Sequence, residues 1–415
     1  MQAVVAIPAL ETLQKLGYGA EFLVREVAGV PLLVRVLATA VRAGVDSILV
    51  IWPDDLNPAI LESCAESSLV KSVRVEKFDW TNAFDPNTAS WEATAERLDN
   101  EFLWLPWNWV TNRRALTALS PSPVRPATWD SPVLLKKAAV LRAGPLRVSS
   151  GPQTWGISIA SSTVIPTAER FLVAYSGKPT DGVYSNFNRR LCWPFVRYLA
   201  HTGATPNQLT LAGLVVAILG ALFFARGSYA NYVAGALLFF LSGLFDEMDG
   251  MIARIKFRES AFGTWFEGFV DNATYLAVFV GIIIGLHREF GTFAFRYGSA
   301  LIVGCVLSVV VIAVQRKLAT SRERPHEYAG KMNQLMEADS SNLVSKIVRQ
   351  LHIFVKKGVL IHYLLLFTLL GRLHMFLWLA AVGSNLTWVI ALYFTHRFFK
   401  REPPEIADKR IQTAA

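Results

Sequence analysis

The sequence predicts an α/β domain over residues 1–177, followed by an all-α domain of six membrane-spanning helices within residues 205–400. Three observations predict it. Strand-like and helix-like apolar patterns alternate through the first part of the chain, as in a layered α/β fold. From Leu209 onward long uncharged runs alternate with short loops, as expected of helices that cross the hydrocarbon core of a bilayer in about 20 residues. The positive charge in those loops falls mainly on one side. At 415 residues, 53% of them hydrophobic, the chain has room for two domains.

Taken in order, "AVVAIPA" at residues 3–9 reads as a buried strand. "VAGVPLLVRVLATAVRAGVDSILVIW" at 27–52 reads as an apolar-periodic helix between turn signals, then a second strand. No basic region leads into an apolar run and a small-residue cleavage site, so no secretory leader is expected and this domain is expected to remain in the cytoplasm. Cys64, Cys192 and Cys305 are scattered without a C-x-x-C pair, which excludes a disulfide framework and a zinc site as expectations. The net charge of +9 fits basic loops facing anionic lipid better than nucleic acid, and no nucleic-acid partner is expected.

Residues 178–204 read as an amphipathic helix on the membrane surface. Phe187, Leu191, Phe195, Tyr198 and Leu199 recur at helical spacing, Arg189, Arg190 and Arg197 supply positive charge, and Pro194 predicts a kink. The six spans are expected at 209–225, 232–245, 265–286, 299–314, 358–370 and 375–394. Several are short, so their ends borrow from neighbouring residues. Arg254, Lys256, Arg258, Arg316, Lys317, Arg322, Arg324, Lys331, Lys346, Arg349, Lys356 and Lys357 lie in loops on one side, against Arg226, Arg288, Arg296 and Arg372 on the other. That asymmetry places the α/β domain, the acidic residues between the second and third spans, and both termini, including the 401–415 tail, on the cytoplasmic side.

The end of the second span and the start of the third hold a cluster of acids, Asp246, Glu247, Asp249, Glu267 and Asp271. Carboxylates beside hydrocarbon are costly unless something charged compensates them. Asp246, Asp249, Gly250 and Ala253 share one helical face, and Gly263, Glu267 and Asp271 form a matching stripe. Four inward carboxylates with no His or Cys suit Mg²⁺ or Mn²⁺. Gly250 and Ala253 leave room for a close ligand, and Arg254 adds a donor fork for phosphate. Together they describe a site for a metal-bound pyrophosphate. The bland alternative, that the charges only cap two helices, explains single residues but not the whole set.

The spacing resembles the signature of the CDP-alcohol phosphotransferase family, D-x-x-D-G-x-x-A-R, eight residues, then G-x-x-x-D-x-x-x-D. Here it is met by Asp246, Asp249, Gly250, Ala253, Arg254, Gly263, Glu267 and Asp271, with glutamate in place of the third aspartate. The "TPNQLT" lead-in at 205–210, the interfacial helix and six spans extend the likeness over about residues 178–400. The resemblance implies an integral membrane enzyme that moves a phosphoalcohol unit from a CDP-alcohol to a hydroxyl acceptor and releases CMP. It implies two Mg²⁺ or Mn²⁺ ions held by Asp246, Asp249, Glu267 and Asp271, with Asp271 also the general base. It places Asn207, Thr210, Asp246, Gly250, Ala253, Arg254 and Gly263 at the CDP moiety, and it implies a homodimer. Arg316, Lys317, Arg322 and Arg324 are candidates for an acceptor phosphate, such as that of an inositol phosphate, although they equally satisfy the charge rule.

"AGVPLLVRVL" before "AGVDSILVI" is similar to sugar-nucleotide and inositol-phosphate nucleotidyltransferases, so a nucleotidyltransferase-like sandwich is expected for residues 1–177. Its catalytic parts are missing. "PALETLQKLGYGAEF" stands where those enzymes have a Gly-rich basic loop, and "FLWLPWNWV" at 102–110 offers only Asn108 where they have a metal-binding aspartate. The domain therefore reads as a degenerate scaffold or ligand sensor. Trp104, Trp107 and Trp109 fit either a base-stacking patch or a core. Two further readings remain open: a non-catalytic nucleotide-binding membrane scaffold, and a bifunctional enzyme with an active N-terminal cytidylyltransferase.

Overall fold

A computed structural model describes residues 1–81, 84, 90–122, 126, 129–141, 156–177, 182–319, 328–339, 342–346, 348 and 357–400. The chain divides into two compact units. One comprises Met1–Lys178, Trp193–Thr205 and Met251–Glu259; the other comprises Pro179–Cys192, Pro206–Gly250 and Ser260–Ala415.

The first unit is built on strands β1 (Gln2–Ala6), β2 (Glu26–Val27), β3 (Val30–Pro31), β4 (Ser47–Pro53), β5 (Arg74–Trp80), β6 (Glu101–Trp104), β7 (Trp109–Thr111), β8 (Val133–Lys136) and β9 (Gly156–Ser158). Its helices are α1 (Leu10–Lys15), α2 (Leu32–Arg42), α3 (Ala59–Glu66), α4 (Ser90–Thr94), α5 (Arg113–Thr117), α6 (Lys137–Leu141) and α7 (Ile165–Ala174). The main sheet has the order β5-β4-β1-β6-β8, parallel throughout except for antiparallel β8. Its central strands are apolar on both faces because both are covered. Val4, paired with Leu49 and Trp104, joins Ile51, Trp91, Phe102, Trp129 and Leu135 in one core. Trp104 belongs to that core. It is 4% exposed, its ring lies 5.2 Å from that of Trp129, and its Nε1 donates to the Trp129 carbonyl at 3.0 Å. This excludes Trp104 from a base-stacking surface.

Two later segments complete this unit, and charged side chains bind them in. Lys256, buried, donates Nζ to the carbonyls of Leu199, Thr202 and Ala204, which close the end of α8 (Val183–Ala200). Cations at helix C-termini satisfy carbonyls that have no intrahelical partner. Glu169 on α7, also buried, accepts from the Ala28 amide at 3.0 Å and pairs with His201 at 3.0 Å and Arg197 at 3.7 Å. Gly29 is required where it stands: its φ is +72°, and a Cβ there would lie 2.1 Å from the Ala200 carbonyl oxygen. Arg35 on α2 is fully enclosed and donates to the carbonyls of Val27 and Ile255. Burial pulls its guanidinium down to about 9, with the Glu169 charge acting the other way, so it remains charged at neutral pH.

The second unit is helical: the first part of α8, then α9 (Pro206–Arg226), α10 (Tyr229–Ile255) up to Gly250, α11 (Ala261–Phe290), α12 (Thr292–Ala319), α13 (Tyr328–Ala338), α14 (Lys357–Leu369) and α15 (Leu373–Thr395). Each of the six predicted spans falls on a helix. Among the described residues four helices, Pro206–Arg226, Ala261–Phe290, Thr292–Ala319 and Leu373–Phe399, are long and apolar enough to cross a membrane, and Val359–Leu369 is a shorter apolar one. The core between them is apolar: Phe224, Phe239, Val278, Ile282, Leu301, Leu364 and Leu377 are buried together. Glycines let α9 and α11 approach closely. A Cβ at Gly281 would lie 2.3 Å from the Ala221 carbonyl oxygen, and one at Gly285 2.1 Å from that of Phe224.

Helix α8 runs unbroken through Pro194 and leaves Phe187, Leu191, Phe195 and Tyr198 exposed. Arg189 departs from the expectation for a surface helix. It is not a surface charge: it is 7% exposed and pairs with Glu247.

Candidate active site on α9, α10 and α11

Three helices position the acidic motif. Helix α10 is continuous across "DEMDG", so Asp246 and Asp249 share a face, three residues apart. Glu247, one residue round the helix, leaves that face: its Oε2 accepts from Arg189 Nε at 2.9 Å, with side chains 13% and 8% exposed respectively. Asp249 is buried at 3% exposure, and Thr210 of α9 sets its carboxylate, with Oγ1 2.5 Å from Oδ2. The same hydroxyl lies 3.1 Å from the Pro206 carbonyl; with a single proton to give, it favours the charged acceptor.

Ser260 starts α11 by accepting from the Gly263 amide at 3.0 Å. Side chains of Ser260 and Asn207 border Gly263, so that a Cβ there would lie 3.1 Å from Ser260 Oγ and 3.6 Å from Asn207 Oδ1. The first turn of α9 thus meets both Asp249 of α10 and Gly263 of α11. Glu267 and Asp271 follow along α11, four residues apart and half-buried. Gly250 is half-buried beside Asp249. Ala253 and Arg254 lie further along α10, in the segment assigned to the α/β unit, where Arg254 Nε donates to the Ser176 carbonyl. Arg316 and Lys317 are exposed at the end of α12, while Arg322 and Arg324 lie outside the described residues.

The donors are three aspartates and a glutamate, hard oxygen ligands that suit Mg²⁺ or Mn²⁺. Among the described residues no group of three or more His, Cys, Asp or Glu side chains is gathered in metal-holding geometry. Sequence reasoning missed Arg189 as the partner of Glu247, a pairing across 58 residues that no local pattern states; one turn on, Cys192 Sγ donates to the Leu244 carbonyl at 3.5 Å.

Residues 204–384 match the family model described as CDP-alcohol phosphatidyltransferase. The C-terminal half carries a CDP-alcohol phosphatidyltransferase domain. Relatives of this domain point the same way. The chain is 25% identical over 235 residues to a bifunctional IPC transferase and DIPP synthase of Aquifex aeolicus, covering 55% of this chain and 48% of that protein. It is 30% identical over 105 residues to an archaetidylinositol phosphate synthase of Pyrococcus horikoshii, covering 25% and 54%. It is 26% identical over 211 residues to a phosphatidylinositol phosphate synthase of Streptomyces avermitilis, covering 49% and 77%. The chain spans about half the length of the first two.

In the α/β unit two polar groups of the segments compared with a nucleotidyltransferase have protein partners. The Leu10 amide, in the segment after β1, donates to the Asp55 carboxylate at 2.7 Å. Asn108 spends its amide nitrogen on Ser158 Oγ and the Ile159 carbonyl, at 3.1 and 3.2 Å.

Proposed function

We propose that this protein is an integral membrane phosphotransferase with six spans that moves a phosphoalcohol unit from a CDP-alcohol to the hydroxyl of an inositol phosphate and releases CMP. The observation that carries the reading is the acidic motif of α10 and α11, with glutamate at its third position and Asp249 buried and set by Thr210, inside a CDP-alcohol phosphatidyltransferase domain. The acceptor class rests on the relatives: the archaeal and the streptomycete synthases are named for different lipids but share an inositol phosphate product. The donor is a CDP-linked lipid or CDP-inositol.

In the reaction the acceptor oxygen attacks the phosphorus that carries the donor's alcohol. The bond from that phosphorus to the bridging oxygen breaks, and CMP departs with the bridging oxygen. Asp271 takes the hydroxyl proton. Asp246, Asp249, Glu267 and Asp271 would hold two Mg²⁺ or Mn²⁺ ions, which supply charge neutralisation at the pyrophosphate when bound. Thr210 keeps the Asp249 carboxylate in one orientation, and Gly250 and Gly263, having no side chains, let a nucleotide approach their backbones. Exposed Arg316 and Lys317, with Arg322 and Arg324, are proposed to attract the acceptor's phosphate. The α/β unit is a non-catalytic scaffold: its first loop already satisfies an amide with Asp55, and Asn108 offers no carboxylate.

The test is CMP release by the purified full-length protein with Mg²⁺ or Mn²⁺, CDP-diacylglycerol or CDP-inositol, and inositol 1-phosphate among other alcohols, beside Asp271→Asn. Metal-dependent release that the variant abolishes supports the reading. Silence across the panel with CDP still bound refutes it and favours a nucleotide-binding scaffold. Pyrophosphate release from CTP and inositol 1-phosphate by Asp271→Asn would restore catalysis to the α/β unit.

A further inference from the structure

Where α10 stops, the backbone takes a conformation its sequence does not favour. Phe257 has φ +56°, in the left-handed region that bulky residues rarely enter and that glycine fills at most helix ends of this kind. The Arg258 amide donates to the Ala253 carbonyl at 2.8 Å and the Phe257 amide to that of Arg254 at 3.4 Å, the paired bonds that close a helix through a left-handed residue. Such a strained residue persists only where its surroundings over-determine it.

Two arginines of α2 supply that determination. Arg42 Nη2 donates to the carbonyl of Phe257 itself at 2.8 Å. Arg35, 1% exposed, donates Nη1 to the Ile255 carbonyl at 3.0 Å and lays its guanidinium 5.3 Å from the centroid of the Phe257 ring. Arg35 is itself held on the Val27 carbonyl, at 2.7 Å from Nη2 and 3.1 Å from Nε. All these groups belong to the α/β unit. The turn they fix is also the covalent link between the last carboxylate of α10 and the Ser260 cap that begins α11.

We propose that Arg35 and Arg42 are positioning residues for phosphoryl transfer. By holding the Phe257 turn in its left-handed form they set the link that joins the Asp246–Asp249 segment to the Glu267–Asp271 segment. This gives an α/β unit without a phosphate loop a reason to be retained: it is the clamp on the motif's connecting turn. The inference rests on the transferase function proposed above, and the experiment separates the two.

Full-length Arg42→Ala and Arg35→Lys are prepared with and without Phe257→Gly, and melting temperature, tryptic cleavage at exposed Arg258, and kcat and KM for CMP release are measured. Arg42→Ala, which removes a half-buried side chain, is expected to melt close to the native protein. Its kcat is expected to fall about tenfold, as for misplacement of reacting groups, with little change in donor KM. It should also be cleaved faster at Arg258. Phe257→Gly lets the turn adopt its form unaided and should restore both kcat and resistance to cleavage. Native kcat and native cleavage in both arginine variants would overturn the proposal, as would a loss that Phe257→Gly fails to restore. If the native protein releases no CMP from any donor, the proposed function fails. The proteolysis alone then decides whether the arginines hold the turn, and unaltered cleavage overturns that as well.

Discussion

Removing the carboxylate of Glu247 should destabilise the membrane unit more than removing the whole pair. Glu247→Gln leaves Arg189, whose side chain is 8% exposed, without the carboxylate at 2.9 Å. Breaking a buried ion pair from one side costs roughly 3–5 kcal/mol, because the surviving charge stays desolvated. The bond is donated by Arg189 Nε, and about 3 kcal/mol, the lower end, is expected. For a unit of this size that lowers the melting midpoint by roughly 6–12 °C. Replacing both residues with Glu247→Leu and Arg189→Met should recover most of the loss, since apolar replacement of a buried pair is often neutral. The assay is tryptophan fluorescence on heating in detergent for the native protein, both single variants and the double variant. A native midpoint in Glu247→Gln, or a double variant less stable than either single one, would refute the assignment of Arg189 to the buried pair.

Two further predictions follow from the same helices. Thr210→Val removes the 2.5 Å bond to Asp249; hydrogen bonds to charged groups contribute about 1.5–3 kcal/mol, so kcat/KM for CMP release should fall at least about tenfold with the fold retained. Gly281→Ala puts a methyl group against the Ala221 carbonyl and should destabilise by about 1–3 kcal/mol, whereas Gly268→Ala, with nothing within 4 Å, should melt like the native protein. Equal melting of the two variants would contradict the close packing of α9 on α11.

Much of this molecule was legible because its signals are local. Strand β1, the helix–strand succession of α2 and β4, and the helices under all six apolar runs follow from periodicity and length, which the chain carries residue by residue. The spacing of Asp246, Asp249, Glu267 and Asp271 likewise needs only the pitch of a helix. What escaped depends on partners far off in the chain. Nothing around Arg189 states that Glu247 will bury it, and nothing around Trp104 distinguishes a stacking patch from a core until Trp91 and Trp129 arrive beside it. Phe257 is the plainest case. A local reading would refuse it a left-handed backbone, and the arginines that impose one lie more than 200 residues earlier, at |i−j| of 215 for Arg42.

That α/β unit is also discontinuous, and this orders events during synthesis. Its last segment ends at Glu259, about 80 residues after the end of its first. At about 5–20 residues per second, a ribosome needs roughly 4–16 s to cover that distance. In that interval α9 and α10 are made, while Arg35 still awaits the Ile255 carbonyl and Glu169 awaits His201. The α/β unit therefore cannot reach its final form before α9 and α10 have been synthesised. Translation of the membrane portion becomes a checkpoint on maturation of the part that precedes it, and a transcript truncated after residue 177 would yield a folding intermediate rather than a free-standing domain.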